Sequence, residues 1–303
     1  MKVADPTFCG VPGVSDLADT DADVVLYSAA DCSPYSPGAS SHAAEAPAAS
    51  RSALGWHSIT RTRWDFDVDM PIMGGARVAD YGAVLTDPAE PKANRAAIEA
   101  ATRDVIGAGA IPMVLGGDDS VPIPFLAGLA ALGEPVTIVQ LDAHIDWREE
   151  LEGNRFGYSS TMRRASEMAH VCGIVQVGIR GPGSASADEV AFAKDWGAQI
   201  LPMGKVHAEG IGAAIDAVPA GANVVFCIDV DGFDPQLVPG VLLPAYGGLS
   251  YRDTLALFEG ICSKCKVVGA NVVEYVPGRD PKGDSAKAIA RLICCLIALA
   301  TRR

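Results

Sequence analysis

Aspartates and a histidine crowd into three short strings of this chain: Gly-Gly-Asp-Asp-Ser at 116–120, Asp-Ala-His-Ile-Asp at 142–146 and Asp-Val-Asp-Gly-Phe-Asp-Pro at 229–235. Each follows an apolar run that reads as a strand, and in an extended strand residues two apart point the same way. Asp142, His144 and Asp146 are therefore expected on one face at the end of one strand, and Asp229 and Asp231 on one face at the end of another. Carboxylates crowded in this way repel one another and lose hydration unless cations compensate. The simplest reading is a site for two divalent metal ions, and two ions in a cleft commonly activate a water for hydrolysis. One Asp-x-Asp at a strand end is often only a loop cap, but three acidic strings in one chain are hard to explain as caps. Gly116 and Gly117 lack the lysine and spacing of a phosphate loop, so a tight turn that positions Asp118 and Asp119 is the better reading.

The elements that must carry these strings alternate along the chain. Strand-like runs cover 24–29, 82–86, 111–115, 136–142, 174–179, 199–202, 224–229 and 267–274. Most are continuous and β-branched, which fits parallel strands covered on both faces. Amphipathic segments lie between them at 92–108, 121–132, 161–168, 187–196, 211–218 and 251–263, with a last helix at 285–301. This alternation predicts a single α/β domain over 1–303, three-layer α/β/α with a mostly parallel eight-stranded sheet. Ligands in such sheets bind beyond the carboxyl ends of the strands, where all three acidic strings fall. The stretch 32–52 reads as a long loop entering a helix near Ala44. The acids of Trp-Asp-Phe-Asp-Val-Asp at 64–69 read as structure, an edge strand or a solvated loop, rather than as metal ligands.

The chain has 303 residues, 49% of them hydrophobic, and a net charge of −13. That balance argues against nucleic acid and anionic membrane as partners and would attract a cationic substrate, although an ordinary acidic protein explains it equally well. The N-terminus has no basic region followed by an apolar core, and the late apolar run 292–300 is too short to span a bilayer. Eight scattered cysteines fit reduced thiols, so a cytoplasmic location is expected. Cys262 and Cys265 have no second pair at zinc-finger spacing and read as half-buried helix residues.

In this order, the three strings resemble those of the ureohydrolase family, which comprises arginases, agmatinases and related guanidino-compound hydrolases. The likeness extends to YSPGASSHAAEAP at 35–47, PGVLLPAYGGLS at 239–250 and VVEYVPGRD at 272–280, and so covers nearly the whole chain. It implies an arginase-like fold and a binuclear centre, usually manganese and in some members nickel. Asp142 and Asp229 would bridge the ions, Asp146 with a contribution from Asp119 would complete one, and His144 with Asp231 the other. A shared hydroxide would attack a guanidinium carbon and release urea, or a substituted urea, and an amine. Glu274 matches the glutamate that pairs with the guanidinium, and Asp118, Asp234 and Asp280 stand as supporting acids. His42 lies in a stretch that relatives place near the pocket mouth, which makes it a candidate substrate contact.

Two departures from the family stand out. Asp119 replaces a histidine and leaves the centre one charge more negative. The expected effects are a raised pKa for the shared water, a preference for oxygen-loving manganese and tighter hold on a cation. Where many relatives carry a proton-shuttling histidine in a His-Gly-Thr setting, Ser159 takes its place here, and a serine cannot protonate an amine near neutral pH as imidazole can. Arg148 and Arg155 are either solvated loop charges or carboxylate readers, and Trp147 to Glu150 are expected to start the loop at the pocket entrance. His57, His170 and His207 lack ligand-like spacing.

By resemblance a homo-oligomer, trimer or hexamer, is expected. The substrate is left open among arginine, agmatine, guanidino acids, guanidine and biguanides. The competing reading is a degenerate subunit that supports an active paralogue. A related amide-cleaving fold with one zinc and a His-His pair is weaker, since that pair is absent.

Overall fold

A computed structural model of the protein describes residues 1–2, 4–36, 38–54, 62–182 and 185–302. The first strand, β1 (Val24–Ala29), is followed by a small antiparallel pair, β2 (Trp64–Asp65) with β3 (Met70–Pro71). Then come β4 (Val78–Ala83), β5 (Ile111–Gly116), β6 (Val136–Leu141), β7 (Val171–Val177), β8 (Gln199–Leu201), β9 (Asn223–Asp229) and β10 (Lys266–Val273). With β1 these form one eight-stranded sheet in the order β4-β1-β5-β10-β9-β6-β7-β8, and every pairing is parallel.

Side chains alternate across the sheet as the pleat requires. Leu26, Leu115, Leu141, Phe226 and Ile228 face one apolar layer, whereas Val25, Tyr27, Val114, Ile138 and Val225 face the other. The first layer contains α1 (Ala46–Ser52), α6 (Met203–Glu209), α7 (Gly212–Ala217), α8 (Tyr251–Cys262) and α9 (Asp284–Ala300). The second contains α2 (Pro91–Gly107), α3 (Pro122–Gly128), α4 (Thr161–Ala165) and α5 (Ala187–Trp196). Local chemistry fixes the helix starts: proline opens α2 and α3, and reciprocal capping boxes start α5 (Ser186, Glu189) and α8 (Ser250, Asp253). Among the described residues no helix is long and apolar enough to cross a membrane. The apolar run 292–300 is the buried heart of α9.

Several expectations shift. The strand expected at 82–86 lies at Val78–Ala83, because inward-pointing Asp80 is paired in the interior and disguises the strand as a polar turn. α6 carries Gly204 and has Gly210 at its C-terminus, which reads as loop, yet Met203 and Val206 bury and hold it. The helix expected at 161–168 stops at Ala165. The acids at 65 and 67 pair with Arg291 at 2.7 and 2.8 Å, so a cation already occupies the Asp65–Asp67–Cys295 group. Cys262 and Cys265 are free, half-buried thiols. His57 lies outside the described residues. His170 donates to the Leu126 carbonyl at 2.9 Å, and His207 is exposed on α6.

One buried ion pair fixes the path of the chain around the sheet's carboxyl edge. Arg51 of α1 donates from Nε and Nη2 to the two oxygens of Asp80 at 2.8 and 2.9 Å, and from Nη1 to Ser28 Oγ at 2.8 Å. Both side chains are almost fully buried. The pair ties α1, and with it the loop from 31 to 45, to β1 and β4. Removing one partner strands the other charge in the interior, so Asp80→Ala is expected to lower the unfolding free energy by about 3–5 kcal/mol in a urea titration. A loss below about 1 kcal/mol would show that the pair does not hold this corner.

Candidate metal centre

The four central strands end at one place. β5 delivers Asp118 and Asp119, β6 delivers Asp142 to Asp146, β9 delivers Asp229 and Asp231, and β10 delivers Glu274. Two glycines let these ends converge. A Cβ on Gly117 would lie 2.0 Å from the Ala30 carbonyl oxygen, and one on Gly232 would lie 2.5 Å from the Asp142 amide nitrogen. A cavity of about 220 Å³ opens on the cluster, lined by Asp119, His144, Asp146, Asp229, Asp231 and Glu274. Tyr158, Ser159, Arg148 and the apolar run Val241 to Leu243 complete its wall.

Strand pleat alone does not aim these side chains. Regular pairing of β6 ends at Leu141 and β9 ends at Asp229, so His144, Asp146 and Asp231 lie beyond the strands. Asp231 sits in a 3-10 turn at Val230–Gly232, and Asp146 has a left-handed backbone, φ 53°. The shared-face expectation is therefore corrected: loop geometry, not alternation, turns the carboxylates together. A left-handed backbone at a non-glycine residue is strained, and it persists where the surroundings over-determine it.

Two tight groups of ligand atoms result, Asp119–Asp142–Asp146 and Asp142–His144–Asp231, with Asp142 common to both. Asp229 lies at the same cavity and accepts the Asp231 amide at 2.8 Å, but it belongs to neither tight group. His144 Nδ1 stands 3.1 Å from Asp231 Oδ2 and 3.5 Å from Asp142 Oδ1. This donor set of carboxylate oxygens and one imidazole suits hard divalent ions. Asp119 Oδ2 is buried without any hydrogen-bond partner, an arrangement that is costly unless a cation satisfies the oxygen. The residues present therefore fit a pair of divalent ions.

Electrostatics point the same way. Burial, reinforced by neighbouring carboxylates, pushes Asp119, Asp142 and Asp229 well above the usual carboxylate range, and Asp146 upward as well. The bond with Asp231 raises His144 to about 10; burial pushes Asp231 up, but the His144 bond and charge, with the Ala143 amide and Asp142, together hold it low. Without metal the cluster thus retains protons on acids and on the imidazole, so cation uptake must displace them.

Supporting contacts come from residues the three strings do not reveal. Gln140 Nε2 donates to Asp142 Oδ2 at 2.7 Å and to Asp146 Oδ2 at 2.8 Å. Gln176 Nε2 donates to Gln140 Oε1 at 2.5 Å, and Trp147 Nε1 donates to Gln176 Oε1 at 3.0 Å. Trp147 is fully buried behind the metal loop, not at the pocket entrance as expected. Arg180 clamps the carbonyls of Asp231 and Phe233 at 2.7 and 3.0 Å and places a half-buried positive charge behind the acids. Gln140 could have been noticed, since it lies near the end of β6, two residues before Asp142.

The other singled-out residues separate clearly. Glu274 Oε1 accepts the Asp119 amide at 2.8 Å, and Oε2 meets His42 Nε2 at 2.5 Å. Ser159 lines the cavity, but its hydroxyl is bonded to that of Tyr35, whereas Tyr158 stands edge-on to His42. Asp118 accepts from the amide and hydroxyl of Ser120, which ties the β5 turn. Asp280 accepts from Tyr275 Oη at 2.8 Å and from the amides of Asp284 and Ala286, anchoring the start of α9. Asp234 accepts from the amides of Gln236, Gly247 and Gly248 and shapes the 234–248 loop rather than reaching the ligands. Arg148 faces the cavity, whereas Arg155 pairs with Glu149 at 2.7 Å outside it.

A sequence model of the arginase family matches residues 23–298. The chain is 32% identical to the agmatinase of Pyrococcus horikoshii over 78% of its own length and 79% of that protein. It is 35% identical to mitochondrial arginase 1 of Arabidopsis thaliana over 60% of this chain, a match that spans only 53% of the plant protein. The proclavaminate amidino hydrolase structure from Streptomyces clavuligerus superposes with a TM-score of 0.82 at 26% identity, covering 97% of this chain and 96% of that one.

The cluster generates a two-signed prediction. At a hundred times its dissociation constant each ion should add about 2.7 kcal/mol, which for a chain of this size is about 4 °C in Tm. Asp119→Asn should raise the Tm of chelator-treated protein by removing repulsion, and should shrink the rise on adding manganese. Calorimetry showing the same manganese-induced rise in both proteins would exclude Asp119 as a ligand.

Proposed function

The chain belongs to the arginase family, and from that premise we propose that it is a binuclear metal-dependent amidinohydrolase acting on a small guanidino compound. The observation that carries this reading is the sharing of buried Asp142 between two ligand groups, whose other members, Asp119, Asp146, His144 and Asp231, line a cavity together with Glu274. Asp119, Asp142, His144, Asp146, Asp229 and Asp231 would hold the ions, by family habit manganese with nickel as the alternative. When bound, such ions supply positive charge that makes a water acidic enough to act as a nucleophile near neutral pH.

The chain's own residues do the rest. Glu274 presents a carboxylate whose four lone-pair sites are only partly used, leaving room for a planar guanidinium to bind through parallel hydrogen bonds. Gln140 fixes an oxygen of both Asp142 and Asp146, so the floor does not reorganise as charge moves. Val241, Leu242 and Leu243 form the apolar wall for a short spacer, and about 220 Å³ is below the range of sites for drug-sized ligands. Arg148 brings a cation to the cavity lining, which suits a guanidino acid. No imidazole stands at 157–159, so protonation of the departing amine falls to water or to another residue.

Elemental analysis of protein expressed with manganese or nickel should find about two ions per chain. Urea should form from at least one of arginine, agmatine, guanidino acids, guanidine or biguanides. Glu274→Gln should keep both ions and lower kcat/KM by about 10²-fold, the worth of a charged hydrogen bond. One ion or none, with no urea from the whole panel, would sink the enzyme reading in favour of a supporting subunit.

A further inference from the structure

The carboxylate read above as the guanidinium anchor is not free to turn. Glu274 has a left-handed backbone, φ 68°, and its amide donates to the Gly117 carbonyl at 2.8 Å. Its Oε1 is tethered by the Asp119 amide, and its Oε2 by His42 from the loop between β1 and α1. The His42 side chain is 23% exposed and that of Glu274 10%, so this is a shielded contact at 2.5 Å rather than a surface pair. Tyr158 closes the side of the imidazole, ring centroids 5.6 Å apart, and is itself packed edge-on against Tyr35 at 4.5 Å. Nothing in the three acidic strings calls for a histidine here, and the ring is absent from the cavity lining.

We propose that His42 is a positioning residue that sets both the aim and the charge of Glu274, and so makes capture of a guanidinium depend on the imidazole's proton. This rests on the reading of Glu274 as the guanidinium-binding carboxylate. A neutral imidazole donating from Nε2 holds Oε2 in place and leaves the full negative charge for the substrate. An imidazolium holds it equally well but neutralises it, so two cations then compete for one carboxylate. The coupling is reciprocal: a proton on His42 weakens guanidinium binding, and bound guanidinium expels the proton.

The groups facing His42 are Glu274 from the end of β10, Asp118 from the end of β5, Arg279 from the turn at Pro277–Arg279, and Tyr158 from the loop before α4. Burial lowers the imidazole's pKa and Arg279 adds to that, but the bond and charge of Glu274, with Asp118, reverse the sign and leave it raised. Competition should therefore set in above the usual imidazole range and strengthen as pH falls.

Two measurements on the full-length, manganese-loaded protein test this. The first needs no turnover. Carbethoxylation of His42 by diethyl pyrocarbonate, located by peptide mass spectrometry and followed against pH, reads the imidazole's own ionisation. The midpoint in wild type should lie about one unit above that in Glu274→Gln, and equal midpoints overturn the pairing. The second is urea release from agmatine and 4-guanidinobutyrate. KM should rise about tenfold between roughly pH 9 and pH 6 in wild type, and His42→Gln, which can still donate an amide hydrogen, should lose most of that rise. His42→Ala should raise KM about tenfold at the alkaline end while moving kcat far less. A His42→Gln enzyme that keeps the full acid-side rise, or a His42→Ala enzyme with wild-type KM throughout, overturns the inference. Absence of urea from wild type would defeat the functional reading alone, and the carbethoxylation midpoints would still decide whether His42 and Glu274 are paired.

Discussion

Concentrating buried carboxylates at one point is the constraint on which the rest of this structure depends. Asp119, Asp142, Asp146, Asp229, Asp231 and Glu274 are each under a tenth exposed, and all but Asp142, which lies beneath the others, line one small cavity. Charges in such a setting cost far more than they return unless each is met by a donor or a cation. The fold meets the demand with backbone amides at Ala143, His144, Asp231 and Asp119, the bifurcated donor Gln140, the imidazoles of His144 and His42, and Arg180 behind the loop. What these leave unmet, Asp119 Oδ2 above all, is the demand that metal ions would satisfy.

The scaffold is arranged around that demand. The carboxyl ends of β5, β10, β9 and β6 are neighbours in the middle of the sheet, so four separate chain segments reach one point without long loops. Backbone strain reaches the site as well: Asp146 and Glu274, a ligand candidate and the guanidinium candidate, are two of the described non-glycine residues with left-handed φ. The buried Arg51–Asp80 pair lies outside the site but holds α1, and so determines where the preceding loop can bring Tyr35 and His42. Stability and function are linked here through that loop as well as through the ligands.

Much of the fold was legible in the sequence because parallel strands buried on both faces leave uninterrupted apolar runs. β1, β5, β6, β9 and β10 were placed within a residue or so at nearly every end. Errors fell where a side chain's fate depends on a distant partner. Asp80 reads as a turn residue until Arg51 is seen beside it, and the glycines around α6 read as loop until Met203 and Val206 are seen to be covered. Trp147 reads as an entrance residue because it adjoins the acidic string, yet Phe192 and Trp196 of α5 enclose it.

The sequence by itself determined which chemistry is present: acids and an imidazole at strand ends, in an order and spacing specific enough to indicate a family. Those features are local, fixed by the pleat and by neighbours a few residues away. Only the tertiary structure decided how the groups are coupled. It ties the metal loop to Trp147 through two glutamines, turns Ser159 toward Tyr35, and puts His42 on Glu274 across 232 residues of sequence. Such contacts leave no periodic trace in a single chain, because what selects them is the shared burial of elements that the sheet order alone brings together.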